Sequence, residues 1–297
     1  MSASIALKLE NVNYTINGKT LLQGVNFDVK KGEVLAVLGH NGAGKSTLID
    51  IITEDLKPDE GGKVQVLNGR FTKNKRRIGV VYDVISIFPF MKVKEILHYF
   101  SSLYNINYKS KVDLLDLLQI DKIAEKLFNY LSKGERKKVA LFLSLVHEPE
   151  LLILDEPTSD LDPLFRESVW RYILSEKEDR TVIFSTHLWE EAELFADRIV
   201  FIHKGKMLNT RPVSTKEILS QESVIGKKKI IAPKMDQVKS QLNGYHYIES
   251  DDYYHIFPKE HTRKVLQEIS SITTNISVTE NNLKDHYEWM VHQEMEL

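Results

Sequence analysis

Cysteine is absent from all 297 residues of the sequence, which excludes disulfides, thiolate metal sites and cysteine nucleophiles. Neither sign of charge is in excess, because 40 Lys and Arg residues stand against 42 Asp and Glu residues and the net charge is -2. Surfaces that bind nucleic acid need clustered basic charge. We therefore predict no nucleic-acid partner.

Long apolar runs are also missing. No stretch approaches the roughly 20 apolar residues that cross a bilayer, and the longest, Val34–Leu38 and Leu151–Leu154, have the length of strands. The N-terminal residues MSASIALKLE lack the basic segment followed by an apolar segment that marks a signal peptide. We therefore expect a cytoplasmic chain that reaches a membrane only through a separate membrane-embedded partner.

The apolar pattern predicts an α/β fold with a second, smaller domain. A buried strand at Val34–Leu38 runs into a glycine-rich loop and a helix over Ser46–Thr53, which is the start of a βαβ unit. Apolar and polar residues alternate at 5–9 and 25–29 and predict strands of a small antiparallel sheet. Helical spacing predicts a helical subdomain over about 83–147, and an amphipathic pattern predicts a helix over Pro163–Leu174, whose first position suits proline. Towards the C-terminus the elements run βαββαβ, the ferredoxin-like order. We predict one domain over residues 1–215 and a small α+β domain over 216–297.

A phosphate-binding loop is predicted where GHNGAGKST satisfies the pattern G-x-x-x-x-G-K-[ST]. Backbone N–H groups of such a loop and the helix that follows it both favour phosphate. Lys45 can reach the β- and γ-phosphates, the Ser46 hydroxyl can bind Mg²⁺, and Thr47 can donate to the α-phosphate. A chance glycine-rich turn is the alternative, and the strand before and helix after disfavour it. The predicted nucleotide-binding residues are Gly39, Asn41, Gly42, Gly44, Lys45, Ser46 and Thr47.

A carboxylate pair follows the apolar run LLIL at 151–154. Asp155, at the end of a buried strand, can hold Mg²⁺, in such sites commonly through water. Glu156 can polarise an attacking water as a general base. A strand that ends in a solvated Asp-Glu pair is the alternative, and it would be the better interpretation without the phosphate-binding loop upstream.

A second small-residue segment, LSKGER at 131–136, opens a helix. Ser132 and Gly134 leave a small surface rich in N–H groups, which suits phosphate. Ser132 is also followed three residues later by Glu135, which is a capping box. Taken alone, the segment is better interpreted as simple capping, although the two interpretations are compatible.

These motifs together resemble the ATP-binding-cassette transporter ATPases over residues 5 to about 210, which implies a P-loop NTPase fold that binds ATP and Mg²⁺ and hydrolyses ATP. The resemblance also implies two partners, a membrane-spanning subunit and a second ATPase subunit that is identical or different. It implies a peripheral position at the inner face of the cell membrane. One cassette followed by a short extra domain is similar to the drug-, sodium- or peptide-exporting group. The matching segments, in family order, are GHNGAGKST (39–47), LSKGERKK (131–138), LLILDEP (151–157), TSDLD (158–162) and FSTHLWEEAE, which contains His187.

The resemblance assigns further roles residue by residue. Tyr14 would lie under the adenine as a stacking platform, and Asp162 would cross the dimer interface. Ser132 and Gly134 would bind the nucleotide held by the opposite subunit, and His187 would contact the γ-phosphate and the attacking water. Plainer interpretations are an exposed hairpin aromatic for Tyr14, a helix cap for Asp162 and a structural histidine for His187.

Two departures from the family pattern bear on the chemistry. In IGVVYD (78–83), Asp83 occupies the position where the family usually has Gln. A carboxylate there can bind Mg²⁺ but repels an unpaired γ-phosphate, so we expect an altered metal and water geometry. The signature reads LSKGE where the family usually has LSGGQ. Two other functions stay open: a soluble ATP-driven switch acting on a non-membrane complex, and a hydrolysis-impaired subunit kept for assembly.

An apolar loop between Asp83 and Tyr104 is the predicted contact with the membrane subunit. In the family this region faces a cytoplasmic helix of that subunit. A loop that merely covers the core is the alternative. The apolar residues of the loop are Val84, Ile85, Ile87, Phe88, Pro89, Phe90 and Met91.

Overall fold

The computed structural model describes residues 4–85, 88–175, 180–220 and 223–296. The chain divides into two compact units, Met1–Pro212 and Val213–Leu297. The predicted division after residue 215 lies close to this point, and the domain assignment itself stays a prediction. Ile87 of the apolar loop lies outside the described residues.

The first unit combines two sheets with helices. Its elements in chain order are β1 (Ile5–Ile16), β2 (Lys19–Lys30), β3 (Val34–Leu38), α1 (Lys45–Ile52), β4 (Lys63–Val66), α2 (Phe71–Asn74), β5 (Ile78–Val81), α3 (Val93–Leu103), α4 (Val112–Leu118), α5 (Lys133–Leu145), β6 (Leu151–Asp155), α6 (Pro163–Leu174), β7 (Thr181–Thr186), α7 (Trp189–Phe195), β8 (Arg198–His203) and β9 (Lys206–Met207).

The N-terminal sheet is antiparallel, in the order β2-β1-β4. Asn17 and Gly18 both have positive φ, +50° and +75°, which is the geometry of a two-residue hairpin turn that joins twisted strands. The strands run well beyond the predicted ranges 5–9 and 25–29, because register shifts after Leu9 let the hairpin continue past irregular positions.

The central sheet determines where the candidate site lies. Its strands run in the order β8-β3-β7-β6-β5 and are parallel, and β9 pairs antiparallel with β8. Every residue of β3, β6 and β7 is buried, as expected for strands covered on both faces. Because β3, β7 and β6 are neighbours, their carboxyl ends meet at one edge of the sheet, where ligands of open α/β sheets bind.

The predicted helical subdomain is formed by α3, α4 and α5. Helix α5 carries its apolar side into the core through Val139, Leu141 and Phe142, which are fully buried. Val139 and Phe142, three residues apart, share one face of the helix, whereas Leu141 lies on another, so α5 is buried on more than one side. The helix therefore connects the 131–136 segment to the core next to β5.

The second unit is a small α+β structure. Its strands pair antiparallel in the order β12-β13-β11-β14, with α9 and α10 as the connecting helices, so the predicted ferredoxin-like arrangement is confirmed. Ile230, Ile256 and Val265 belong to its separate apolar core. Its elements are β10 (Val213–Ser214), α8 (Thr215–Ile218), β11 (Lys228–Pro233), α9 (Asp236–Ser240), β12 (His246–Glu249), β13 (Tyr253–Phe257), α10 (Thr262–Ser270), β14 (Ser277–Glu280) and α11 (Leu283–Glu296).

Candidate nucleotide-binding site

A cavity of about 580 Å³ opens beside the loop between β3 and α1, a size suited to a small organic ligand. Of the predicted site residues it brings together Asn41, Gly42, Gly44, Lys45, Ser46, Thr47, Asp83 and Glu156. Sequence reasoning missed five further lining residues, which are Lys19, Thr20, Leu21, Lys204 and Gly205.

The loop that forms the cavity floor is built around Gly44. Its φ is +110°, and a Cβ there would lie 3.0 Å from the Leu21 carbonyl oxygen, so only glycine fits without strain. The loop is fastened to the β8–β9 turn, where Gly205 N–H donates to the Ala43 carbonyl at 2.8 Å. Helix α1 begins at Lys45, and its first N–H groups therefore open towards the cavity edge.

Lys45 is almost fully buried, with 5% of its surface exposed. Its ammonium donates to the carbonyl oxygens of Gly39 and His40 at 2.9 and 3.3 Å. It also lies 3.3 Å from Oε1 of Glu156. The loop lysine therefore pairs directly with a carboxylate beside the place predicted for the phosphates.

Glu156 has a left-handed backbone, with φ of +48°, an uncommon conformation for a residue with a long side chain. The backbone N–H of Glu156 meets the carbonyl and the hydroxyl of Ser185 on β7. Its Oε2 lies 2.8 Å from Nδ1 of His187. The turn at the end of β6 thus holds one carboxylate between the ammonium of Lys45 and the imidazole of His187, which is the geometry expected of an oriented general base.

Asp155 is buried beside Glu156 and accepts a hydrogen bond from the Ser185 hydroxyl. Burial raises the pKa of Asp50 on α1, and the nearby carboxylates of Asp155 and Asp55 raise it further. Negative charge is therefore crowded at this end of β6. In the described part of the chain no cluster of three or more His, Asp or Glu side chains could hold a metal. Mg²⁺ in nucleotide sites needs no such cluster, because it keeps several waters and binds one or two carboxylates and the phosphates. The hydroxyl of Ser46 and the carboxylate of Asp155 fit that requirement.

Asp83 lines the same cavity but is not paired with Lys45. Its Oδ1 lies 3.9 Å from the ammonium of Lys137, on α5. The ion pair formed by Lys45 is with Glu156.

The remaining predicted residues lie outside the cavity lining. Ser132 caps α5 in a full capping box with Glu135, and Asp162 caps α6 by accepting from the N–H of Phe165 at 3.0 Å. A Cβ on Gly134 would lie 2.9 Å from the Asp160 carbonyl oxygen, so local packing alone requires glycine there. The capping interpretations are confirmed, and the roles across a dimer stay predictions.

Tyr14 is half-buried and packs against the core cluster of the first unit. It does not line the cavity, so its stacking role stays a prediction. The wall on that side is formed by Lys19, Thr20 and Leu21 of β2. The signal for the missed Lys204-Gly205 turn was its position directly after the buried strand β8.

Comparison with known proteins identifies the family. A family model described as ABC transporter matches residues 22–159. The linearmycin resistance ATP-binding protein LnrL of Bacillus subtilis (strain 168) is 33% identical over 211 residues, which cover 68% of each chain. The chain belongs to the ABC transporter ATP-binding family. The bacitracin transport ATP-binding protein BcrA of Bacillus licheniformis is 32% identical over 216 residues and 70% of each chain.

Two further matches extend the comparison. The human ATP-binding cassette sub-family A member 10 is 34% identical over 68% of this chain, but the chain spans only 14% of its length. A solved dimeric ATP-binding cassette in a post-hydrolysis state, bound to ADP and Pi, is 27% identical with a TM-score of 0.61. That match covers 70% of this chain and 98% of the other. The predicted α/β P-loop fold and the assignment as an ABC-type ATPase are confirmed.

Proposed function

We propose that this ABC-type ATPase binds and hydrolyses ATP to drive a separate membrane-spanning subunit, in the direction of export. The proposal rests on the position of Glu156, whose carboxylate lies between Lys45 and His187 at the edge of the P-loop cavity. The intact loop, base and imidazole favour a hydrolysing subunit over a hydrolysis-impaired one.

Each group then has a chemical task. Lys45 and the loop N–H groups bind the phosphates of ATP. Ser46 and Asp155 would hold Mg²⁺, which would neutralise charge that develops on the phosphate oxygens. Glu156 polarises the attacking water, and His187 holds the Glu156 carboxylate in position and contacts the γ-phosphate.

A pair of cassettes is the proposed working unit. The similar solved cassette is a dimer bound to ADP and Pi, which supports pairing. Ser132 and Gly134 at the start of α5 would bind the ATP held by the second subunit, and Asp162 would cross the interface.

Export through a membrane-bound partner is supported by the relatives. LnrL is named for linearmycin resistance and BcrA for bacitracin transport, and they match 68% and 70% of this chain. Removal of a toxic compound from the cell is the simplest function that both names share. Within the described residues no helix has the length and apolar character to cross a membrane. We propose a peripheral position at the inner face of the cell membrane.

The proposed contact for the membrane subunit is a cleft of about 500 Å³ beside β5 and α3. Val84, Ile85 and Phe100 are among the residues that line it. At the loop beyond it, Val84 and Phe90 are 83% and 81% exposed. Exposed apolar side chains beside an apolar cleft suit the apolar face of a helix from a partner.

Replacing Phe90 with Glu should abolish capture of the chain by its membrane subunit, because a charge at the contact is desolvated without a partner. The measurement is co-purification of the tagged chain with a polytopic membrane protein from detergent-solubilised membranes. Leu194→Glu, at another exposed apolar residue, is the matched control and should retain capture. A wild-type chain that never associates with membranes would favour the soluble-switch alternative.

Replacing Asp83 with Asn should raise the Mg²⁺ concentration needed for half-maximal ATPase activity by about tenfold. That factor is the low end of the loss in metal affinity caused by mutating residues around a bound metal. Maximal turnover should fall, while ATP affinity stays nearly intact because the phosphate contacts remain. Asp83→Gln introduces the residue usual in the family and should change the Mg²⁺ requirement and the turnover less. The check is a Mg²⁺ titration of the ATPase rate, with Asp113→Asn on the exposed side of α4 as control. Identical curves would show that Asp83 takes no part in metal binding.

A further inference from the structure

Lys137 is a buried cation that no part of the proposed mechanism uses. It lies on α5, five residues after the cap Ser132, and 1% of its side chain is exposed. Its ammonium contacts the carbonyl oxygens of Tyr82 and Asp83 at 3.3 and 3.5 Å. It also lies 3.9 Å from Oδ1 of Asp83.

A buried ammonium is costly to keep charged unless other groups compensate it. Burial lowers the pKa of Lys137, and the carboxylates of Asp83, Asp160, Asp155 and Glu156 oppose that lowering. Asp83 opposes the lowering most strongly of the four, and it is the one within ion-pair distance. The lysine is therefore placed where its charge offsets carboxylates of the nucleotide site.

The short 82–83 segment is fastened on its other side as well. The Tyr82 hydroxyl donates to Oδ2 of Asp55 at 2.5 Å, and that same oxygen accepts from Thr53 at 2.8 Å. Burial, with the Asp55 hydrogen bond next, raises the pKa of Tyr82 to about 12. Tyr82 is therefore a stable donor that ties the segment to the end of α1, while Lys137 ties it to α5.

We propose that Lys137 is a positioning residue for ATP binding: its buried ammonium holds and neutralises the Asp83 carboxylate so that a γ-phosphate can enter the same cavity. The inference rests on the proposed function only in that the cavity must bind ATP. It explains how a carboxylate is tolerated at the position where the family usually has a neutral Gln. Without Lys137, the free carboxylate repels the γ-phosphate, which ADP lacks.

The test is a double-mutant cycle read out as the ratio of ATP to ADP affinity. Calorimetric titrations are carried out in EDTA, which removes Mg²⁺ and with it hydrolysis. Lys137→Met fills the buried space without charge and should lower the preference for ATP about tenfold, as expected for one extra like charge several ångströms away. Asp83→Asn should change the ratio little in the wild type but restore it almost fully in the Lys137→Met background.

The cycle separates positioning from two simpler effects. A merely structural lysine would weaken ATP and ADP equally and leave the ratio unchanged. Two independent charges would give the same effect of Asp83→Asn in both backgrounds, because independent effects add. Either result would overturn the proposal.

Three controls complete the design. Lys138→Gln removes the neighbouring charge, whose ammonium lies over the ring of Phe165, and should leave the ratio unchanged. Lys137→Arg keeps the charge and should preserve the ratio. The cycle is repeated with Lys137→Gln, so that one unstable variant does not decide it. Absence of ATP binding by the wild-type chain would contradict the proposed function itself, whereas ATP binding with an additive cycle would contradict only the role of Lys137.

Discussion

Glu156→Gln should bind ATP and Mg²⁺ but turn over more slowly by a factor of about 10²–10⁴, the usual contribution of a positioned general base. Gln keeps the length of the side chain and loses the group that accepts a proton. Lys45 keeps its hydrogen bonds to Gly39 and His40, so the loop that binds the phosphates stays formed. The loss should therefore fall on the chemical step and not on binding.

The same variant should accumulate as an ATP-dependent dimer, because closure of the pair no longer ends in hydrolysis. Single-turnover ATPase assays and size-exclusion chromatography with and without ATP measure the two effects. Glu190→Gln is the matched control, since it removes an exposed carboxylate from the first turn of α7, and it should behave as the wild type. Wild-type turnover in Glu156→Gln would remove the role assigned to this residue.

Local sequence signals predicted the elements that carry the nucleotide loop. Strand β3 was predicted with its observed limits because five consecutive apolar residues end at glycine. Helix α6 was also predicted with its observed limits, Pro163–Leu174, because Asp162 caps it and proline occupies its first position. In both cases the information lies within the segment itself.

Contacts between distant segments could not be predicted in this way. Lys137 belongs to the run RKK, which by its composition suggests a solvated helix face, and only the packing of α5 against the 82–83 segment buries it. The pairing of Lys45 with Glu156 likewise depends on the neighbouring positions of β3, β7 and β6. Tyr14 was predicted from family spacing alone, and spacing does not determine which side of the hairpin faces the cavity.

Lys45→Ala should weaken ATP binding by roughly 10²-fold, comparable to loss of a hydrogen-bonded buried charge. Two causes add. The variant removes the buried cation nearest the expected phosphates, and it leaves the Glu156 carboxylate, formerly 3.3 Å from that cation, to repel them. The affinity for ADP should fall less than the affinity for ATP, because the γ-phosphate is the group that approaches Glu156.

Calorimetry with ATP and with ADP measures this loss, and two further variants divide it into its causes. Lys204→Ala removes an exposed lysine from the rim of the same cavity and should change the affinity by less than about threefold, as expected for a solvent-screened charge. Lys45→Ala combined with Glu156→Gln should recover part of the ATP affinity, because the repelling carboxylate is gone. If Lys45→Ala alone binds ATP as the wild type does, the loop at 39–47 is not the phosphate site. If the double variant recovers nothing, the whole loss belongs to the missing ammonium, and Glu156 does not repel the phosphates.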